Sequence, residues 1–166
     1  EFETIIQKAK EKNVTITMVK AGDVVNIDKY TNIHILWPEK SLIEENPLNN
    51  NSIVAKFEYR NFSILFTGDI EKVAENQIVS RYNYKILEST ILKVAHHGSK
   101  TSSTEEFIKA VKPKISVIGV GENNKFGHPN NSVIKTLKAY GSAIYRTDLQ
   151  GEITLTIRKN GKIKID

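Results

Sequence analysis

Cysteine is absent from this 166-residue chain, which excludes disulfides and thiolate metal sites and leaves histidine and carboxylate as the only metal ligands available. No apolar run approaches the ~20 residues of a membrane span, and no signal peptide heads the chain. Internal repeats, low-complexity tracts and interdomain linkers are missing as well. Aromatics make up only 8%, few for a surface that stacks bases, and the net charge of +5 admits a polyanionic partner without demanding one. With 39% hydrophobic and 26% charged residues, the composition is that of a globular chain. Its length suits one domain over residues 1–166, with a sizeable core. The first residue is Glu1 rather than methionine, as expected of an excerpt from a longer protein.

What is present is concentrated in Leu92-Lys93-Val94-Ala95-His96-His97-Gly98-Ser99-Lys100-Thr101-Ser102, an apolar run that breaks into two histidines, a glycine and several hydroxyls. Half of the chain's four histidines lie here. Thr67-Gly68-Asp69 upstream and Gly127-His128-Pro129 downstream also follow strand-like runs, so three strand ends offer metal-type or acid/base side chains. In sheets alternating with helices, functional groups gather beyond the carboxyl ends of the strands.

The spacing of Phe2, Ile5, Ile6 and Ala9 predicts an amphipathic helix over the first dozen residues. Strands are expected at Val14 to Met18, Asp23 to Ile27 and Ile33 to Trp37, followed by a long irregular stretch from Pro38 to Asn51. Ser52 to Tyr59 and Phe62 to Thr67 flank Arg60-Asn61 as a hairpin, and Ile70 to Tyr82 has helical spacing. Strands at 90–95, 114–119 and 142–146 then alternate with helices at about 103–111 and 131–140, before a final hairpin turning at Asn160-Gly161. The alternation argues for an α/β fold, a mixed sheet with helices on its outer face.

Each candidate residue has two readings. Asp69 suits an N-cap of the helix beginning near Ile70, or a metal ligand facing histidines on neighbouring strands. His96 and His97, adjacent in an extended backbone, would point to opposite faces, one into the site and one away. Among Ser99, Lys100, Thr101, Ser102 and Ser103, either of the last two serines would cap the next helix, or the group would hold phosphate oxygens. His128 sits in a loop shaped by flanking glycines and a proline, which suits a positioned ligand. Asn49, Asn50, Asn51 and Ser52 read as a polar turn, His34 and Trp37 as packing, and Arg146 with Asp148 as a local ion pair.

Together, Asn51-Ser52-Ile53-Val54, Leu65-Phe66-Thr67-Gly68-Asp69-Ile70-Glu71, Leu92 through Ser99, and Gly127-His128-Pro129 resemble the metallo-β-lactamase superfamily, in particular the hydrolase domain of ComEC-type competence (DNA-uptake) proteins. The resemblance implies the C-terminal part of an αββα sandwich and a metal-dependent phosphodiesterase or nuclease. Asp69 and His128 would bind the metal, zinc or manganese, and His96 and His97 would lie beside metal and scissile phosphate as catalytic residues. Ser99, Lys100, Asn51 and Ser52 would contact substrate, and the parent protein would be a membrane-anchored bacterial protein with this domain soluble. The superfamily's His-x-His-x-Asp-His motif is absent from these residues, and Asn49 to Ser52 stand where many relatives carry another histidine. Catalytic zinc wants about three protein ligands, so the isolated chain is expected to be inactive, with the missing N-terminal half of the domain as its partner. Two other functions stand beside this one: a non-catalytic module that self-associates through an uncovered apolar face, and a nucleic-acid-binding module using basic residues such as Lys100 and Arg146.

Overall fold

The computed structural model describes residues 2–158 and 162–166. Helix α1 (Phe2–Glu11) forms on the apolar stripe expected of it, yet buries none of its residues. Strands β1 (Val24–Asp28) and β2 (Thr31–Trp37) follow, and a short helix α2 (Pro47–Asn50) interrupts the irregular stretch after them. Strands β3 (Val54–Tyr59) and β4 (Phe62–Phe66) make the expected hairpin across Arg60-Asn61. The remainder alternates: α3 (Lys72–Arg81), α4 (Tyr84–Leu87), β5 (Ile91–Lys93), α5 (Glu105–Val111), β6 (Ile115–Ile118), α6 (Asn131–Ala139), β7 (Ala143–Arg146) and α7 (Thr147–Gln150). Strands β8 (Leu155–Ile157) and β9 (Ile163–Ile165) pair antiparallel as a separate ribbon, and the expected turn at Asn160-Gly161 lies outside the described residues.

One seven-stranded sheet runs in chain order from β1 to β7. Its first four strands are antiparallel and β4 to β7 are parallel, the mixed α/β class the alternation implied. Parallel neighbours need crossover connections, and α3, α5 and α6 occupy them. The core lies where those helices meet the sheet: Leu65 and Leu92 pack with Ala74, Ile78, Phe107, Ile108, Val111, Val133 and Leu137. A register shift between Ile35 and Trp37 pairs Trp37 with Val54, so both residues enter this core. Trp37 is fully buried, and its Nε1 donates to the Asn50 carbonyl at 2.6 Å, fastening the loop before β3.

Three local expectations are corrected. Val14 to Met18 joins no ladder; the alternating Val14, Ile16 and Met18 are 58%, 47% and 86% exposed. Alternation marks what a strand would present, but without a neighbouring edge its backbone has no partner. Asp69 does not cap α3, which starts two residues beyond the expected position with Glu71 at its N-cap. Helix α5 is capped by Thr104, whose side chain accepts from the Phe107 amide at 3.3 Å, rather than by Ser102 or Ser103.

Candidate active site

The carboxyl ends of β4, β5 and β6 meet at one edge of the parallel half of the sheet, and three loops carry chemistry there. After β4 comes Thr67-Gly68-Asp69, with Gly68 at φ +53°; a Cβ on it would lie 2.6 Å from Ser52 Cβ, so only glycine permits this approach. Ser52 Oγ accepts the Asp69 amide at 3.2 Å, and Thr67 donates to the Lys93 carbonyl at 2.6 Å. Asp69 is thereby set beside the end of β5, its side chain 42% exposed.

After β5 the chain makes a tight turn, Ala95–Gly98, instead of continuing extended. His96 (φ 47°) and His97 (φ 54°) are both left-handed, a conformation that costs a non-glycine residue on the order of 1–2 kcal/mol. The surroundings hold the turn in place. His96 N donates to the Gly68 carbonyl at 3.1 Å, Ser99 N to His96 O at 2.8 Å, and Asn130 N to Gly98 O at 2.8 Å. Gly98, at φ +80°, sits so near Pro129 that a Cβ would fall 2.6 Å from its ring. The premise of opposite-facing histidines therefore does not apply, because the backbone is not extended and both rings stay at the site. Such strain is found where surrounding structure over-determines a conformation, often at functional sites.

The rings are paired with carboxylates. His97 Nδ1 lies 2.5 Å from the Gly119 carbonyl, which assigns that nitrogen as donor, and Nε2 faces Asp69 Oδ1 at 3.8 Å. His96 Nδ1 lies 3.4 Å from Glu71 Oε1 without hydrogen-bond alignment, so that buried nitrogen has no hydrogen-bond partner among the described residues. His128 approaches His96 edge-on, ring centroids 5.8 Å apart, and Phe126 stacks on His128 with centroids 5.8 Å apart. The Asn124 side chain brackets His128, donating to its carbonyl at 2.8 Å and accepting its amide at 2.9 Å.

Charge follows from these contacts. Burial depresses the His128 pKa, and the neighbouring His96 and His97 push it the same way, so the ring stays neutral to a lower pH than an ordinary histidine. Burial works to raise Glu71, but donors from Asn46 (3.0 Å) and Thr101 (2.9 Å) and the charge on His96 outweigh it and hold the carboxyl below its usual value. Lys93 is pushed down by burial against the opposing pull of Asp69.

Of the residues singled out beforehand, Asp69, His96, His97 and His128 come together. Ser52 supports Asp69 from behind. Asn51 is engaged within the fold: its side chain accepts from Ile43 N (2.9 Å) and donates to the carbonyls of Ile43 (2.9 Å) and Pro47 (2.8 Å). Ser99 Oγ lies 2.9 Å from the Thr101 hydroxyl, and Lys100 lines an adjacent cleft. Arg146 and Asp148 form the expected ion pair through two guanidinium nitrogens. Sequence reasoning assigned nothing to Glu71, Lys93 or Gly119. Glu71 had one signal, its place two residues after Asp69 in the same motif; Lys93 was a single cation in an apolar strand.

These donors do not form a metal site by themselves. Among the described residues no three His, Asp or Glu side chains gather closely enough to hold an ion, and the groups instead associate as Asp69 with His97 and Glu71 with His96. No helix among the described residues is long and apolar enough to cross a membrane.

Comparison with known proteins gives a consistent picture. The chain is 38% identical over 151 residues to ComE operon protein 3 of Bacillus subtilis, covering 91% of this chain and 19% of that protein. It is 34% identical over 113 residues to competence protein ComA of Neisseria gonorrhoeae, covering 68% of this chain and 16% of that protein. To recombination protein 2 of Haemophilus influenzae it is 37% identical over 105 residues, covering 63% of this chain and 13% of that protein. The chain thus spans less than a fifth of the length of each of these relatives. Among solved structures, a protein designated a metal-dependent hydrolase from Parabacteroides distasonis shares the fold at a TM-score of 0.54 and 15% identity, covering 86% of this chain and 62% of that one. The sequence pattern of the metallo-β-lactamase superfamily matches residues 24–122, more than half of the chain, and spans β1 to β6 with the Asp69 and His96-His97 loops. The chain belongs to the metallo-β-lactamase superfamily.

Proposed function

We propose that this chain forms one wall of the active site of a metal-dependent phosphodiesterase that acts on DNA during uptake, within a membrane-anchored parent. The observation that supports it most is the convergence of Asp69, His96, His97 and His128 on three adjacent strand ends, with two of the imidazoles set against carboxylates. In this reading the metal is zinc or manganese and takes further ligands from outside the described residues. The chain's own residues position and move protons. In the proposed roles His97, with Nδ1 engaged by the Gly119 carbonyl, presents Nε2 for proton transfer at the attacking oxygen, and His96, beside Glu71, serves at the leaving oxygen. The competence-type names of the relatives favour DNA over other phosphodiesters.

The test is cleavage of DNA by the full-length protein with zinc or manganese. Asp69→Ala should abolish it, and His97→Ala should slow it by about 10²–10⁴-fold. Absence of divalent-metal-dependent cleavage, or an Asp69→Ala protein as active as wild type, would overturn the reading.

One observation favours a second role, that of an interaction module: an apolar surface on the sheet face away from α3, α5 and α6, on which Val25 is 44% and Phe66 45% exposed. Concentration-dependent self-association of the chain, abolished by Val25→Lys with Phe66→Lys, would support it; a clean monomer would count against it.

A further inference from the structure

Strand β5 carries a charge where its neighbours carry none. Ala55, Phe66, Lys93, Val117 and Tyr145 lie in cross-strand register from β3 to β7, and Lys93 is the cation among them. Taking an ammonium partly out of water costs free energy that an aliphatic side chain there would not. Half-buried Lys93 is therefore placed against the character of its row, and its contacts show what it serves.

Three contacts tie Lys93 to the loops of the site. Its main-chain carbonyl accepts the Thr67 hydroxyl at 2.6 Å, at the base of the Asp69 loop. Its Nζ donates to the Val94 carbonyl at 2.8 Å, just before the tight turn that bears His96 and His97. Its stem runs along Gly119, where a Cβ would lie 3.6 Å from Lys93 Cε. Asp69 favours the charged form of Lys93 against the effect of burial. Lys93 thus bears on both groups that face the His97 ring, on Gly119 through its stem and on Asp69 through its charge.

A neutral imidazole carries one proton, and the partners of its two nitrogens decide where it sits. The Gly119 carbonyl, 2.5 Å from Nδ1, holds the proton there. Asp69 Oδ1, 3.8 Å from Nε2, is beyond hydrogen-bond reach, yet its negative charge favours a proton on Nε2. A cation acting on Asp69 weakens that pull. We propose that Lys93 is a positioning residue that sets the tautomer of His97: its ammonium offsets the charge of Asp69, so the ring keeps its proton on Nδ1 and offers Nε2 as an acceptor. The role acts through Asp69 and His97 and needs no contact with substrate. Its consequence for turnover rests on the phosphodiesterase reading above, but the tautomer is read without turnover.

The experiment records the ring ¹⁵N resonances of His97 in the metal-free chain at about pH 8, where an ordinary histidine is neutral. Wild type should show the Nδ1–H tautomer. Lys93→Met, close in shape and uncharged, should move the ring toward Nε2–H. Lys93→Arg should keep the wild-type tautomer, and Asp69→Asn added to Lys93→Met should restore it, because it removes the pull that Lys93 offsets. Should Lys93→Met fail to fold, Lys93→Gln carries the same comparison. In the full-length protein Lys93→Met should lower kcat for DNA cleavage about tenfold, with KM changed less than about twofold. A His97 tautomer unchanged in Lys93→Met would overturn the inference. So would the Nε2–H tautomer in both Lys93→Arg and the double variant, since fit rather than charge would then be at stake. DNA cleavage with an unresponsive tautomer removes the role of Lys93 and leaves the function; a responsive tautomer without cleavage does the reverse.

Discussion

On one face of the seven-stranded sheet, Lys56, Leu65, Leu92 and Ser116 lie in cross-strand register, each at most 5% exposed. On the opposite face Val25, Ile33, Phe57, Ile64, Ile91, Ile115 and Ala143 run in register across all seven strands, and only Ile91 is fully buried. The more uniformly apolar row is thus the less covered one. Burial is worth what area is removed from water, so the same side-chain types stabilise the chain very differently on the two faces. The covered row also holds polar residues, whereas the opposite row is wholly apolar. Lys56 reaches the Ile86 carbonyl and Glu58, both at 3.0 Å, and the Ser116 hydroxyl meets that of Ser142 at 2.7 Å. Helix α4 supplies the backbone partner of Lys56, and the Ser142 hydroxyl just before β7 supplies that of Ser116.

The largest effect that tests this contrast is Leu65→Ala, expected to lower unfolding stability in urea by about 2–5 kcal/mol, because the surrounding helices cannot collapse into the cavity. Next comes Gly98→Ala at the active-site turn, where the added methyl meets Pro129 in a left-handed backbone; a loss of about 1–3 kcal/mol is expected. A loss below that range would show that the turn relaxes freely.

A subtler test lies under the covered face. Burial raises the Glu75 pKa against the pull of the Thr104 and Ser103 amides, so the folded chain holds this proton more tightly than the unfolded one. Its contribution to stability is complete below the ordinary carboxyl value of 4.5 and is lost as pH rises through the folded value. The Tm difference between wild type and Glu75→Gln should therefore move in favour of wild type when pH is lowered from about 7 to about 5. An unchanged difference would mean that Glu75 does not titrate differently in the two states. The smallest effect belongs to the open face: Val25→Ala should change stability by about 0.5 kcal/mol or less. If it cost as much as Leu65→Ala, that face would be covered in solution and the contrast would break.

Several elements were legible because their signals are local. The β3–β4 hairpin followed from apolar runs around Arg60-Asn61, and α3, α5 and α6 from helical spacing, with boundaries shifted by a residue or two. The short helices α2, α4 and α7 carry too few residues to show a period. The candidate residues Asp69 and His128 were picked out by residue type and by position after strands. Glu71 did not, since its role depends on His96, Thr101 and Asn46 arriving from distant segments.

The chain by itself therefore determined the alternation of elements, the chemistry offered at three strand ends and the family pattern, because these rest on residue type and spacing along the backbone. Only the tertiary structure decided that His96 and His97 both turn into the site, that Glu71 stands beside His96, and which sheet face is covered. Those outcomes depend on contacts between residues far apart in sequence, where hydrogen bonds to Gly68, Gly119 and Asn130 and the approach of Pro129 override the extended backbone that His96-His97 alone would suggest.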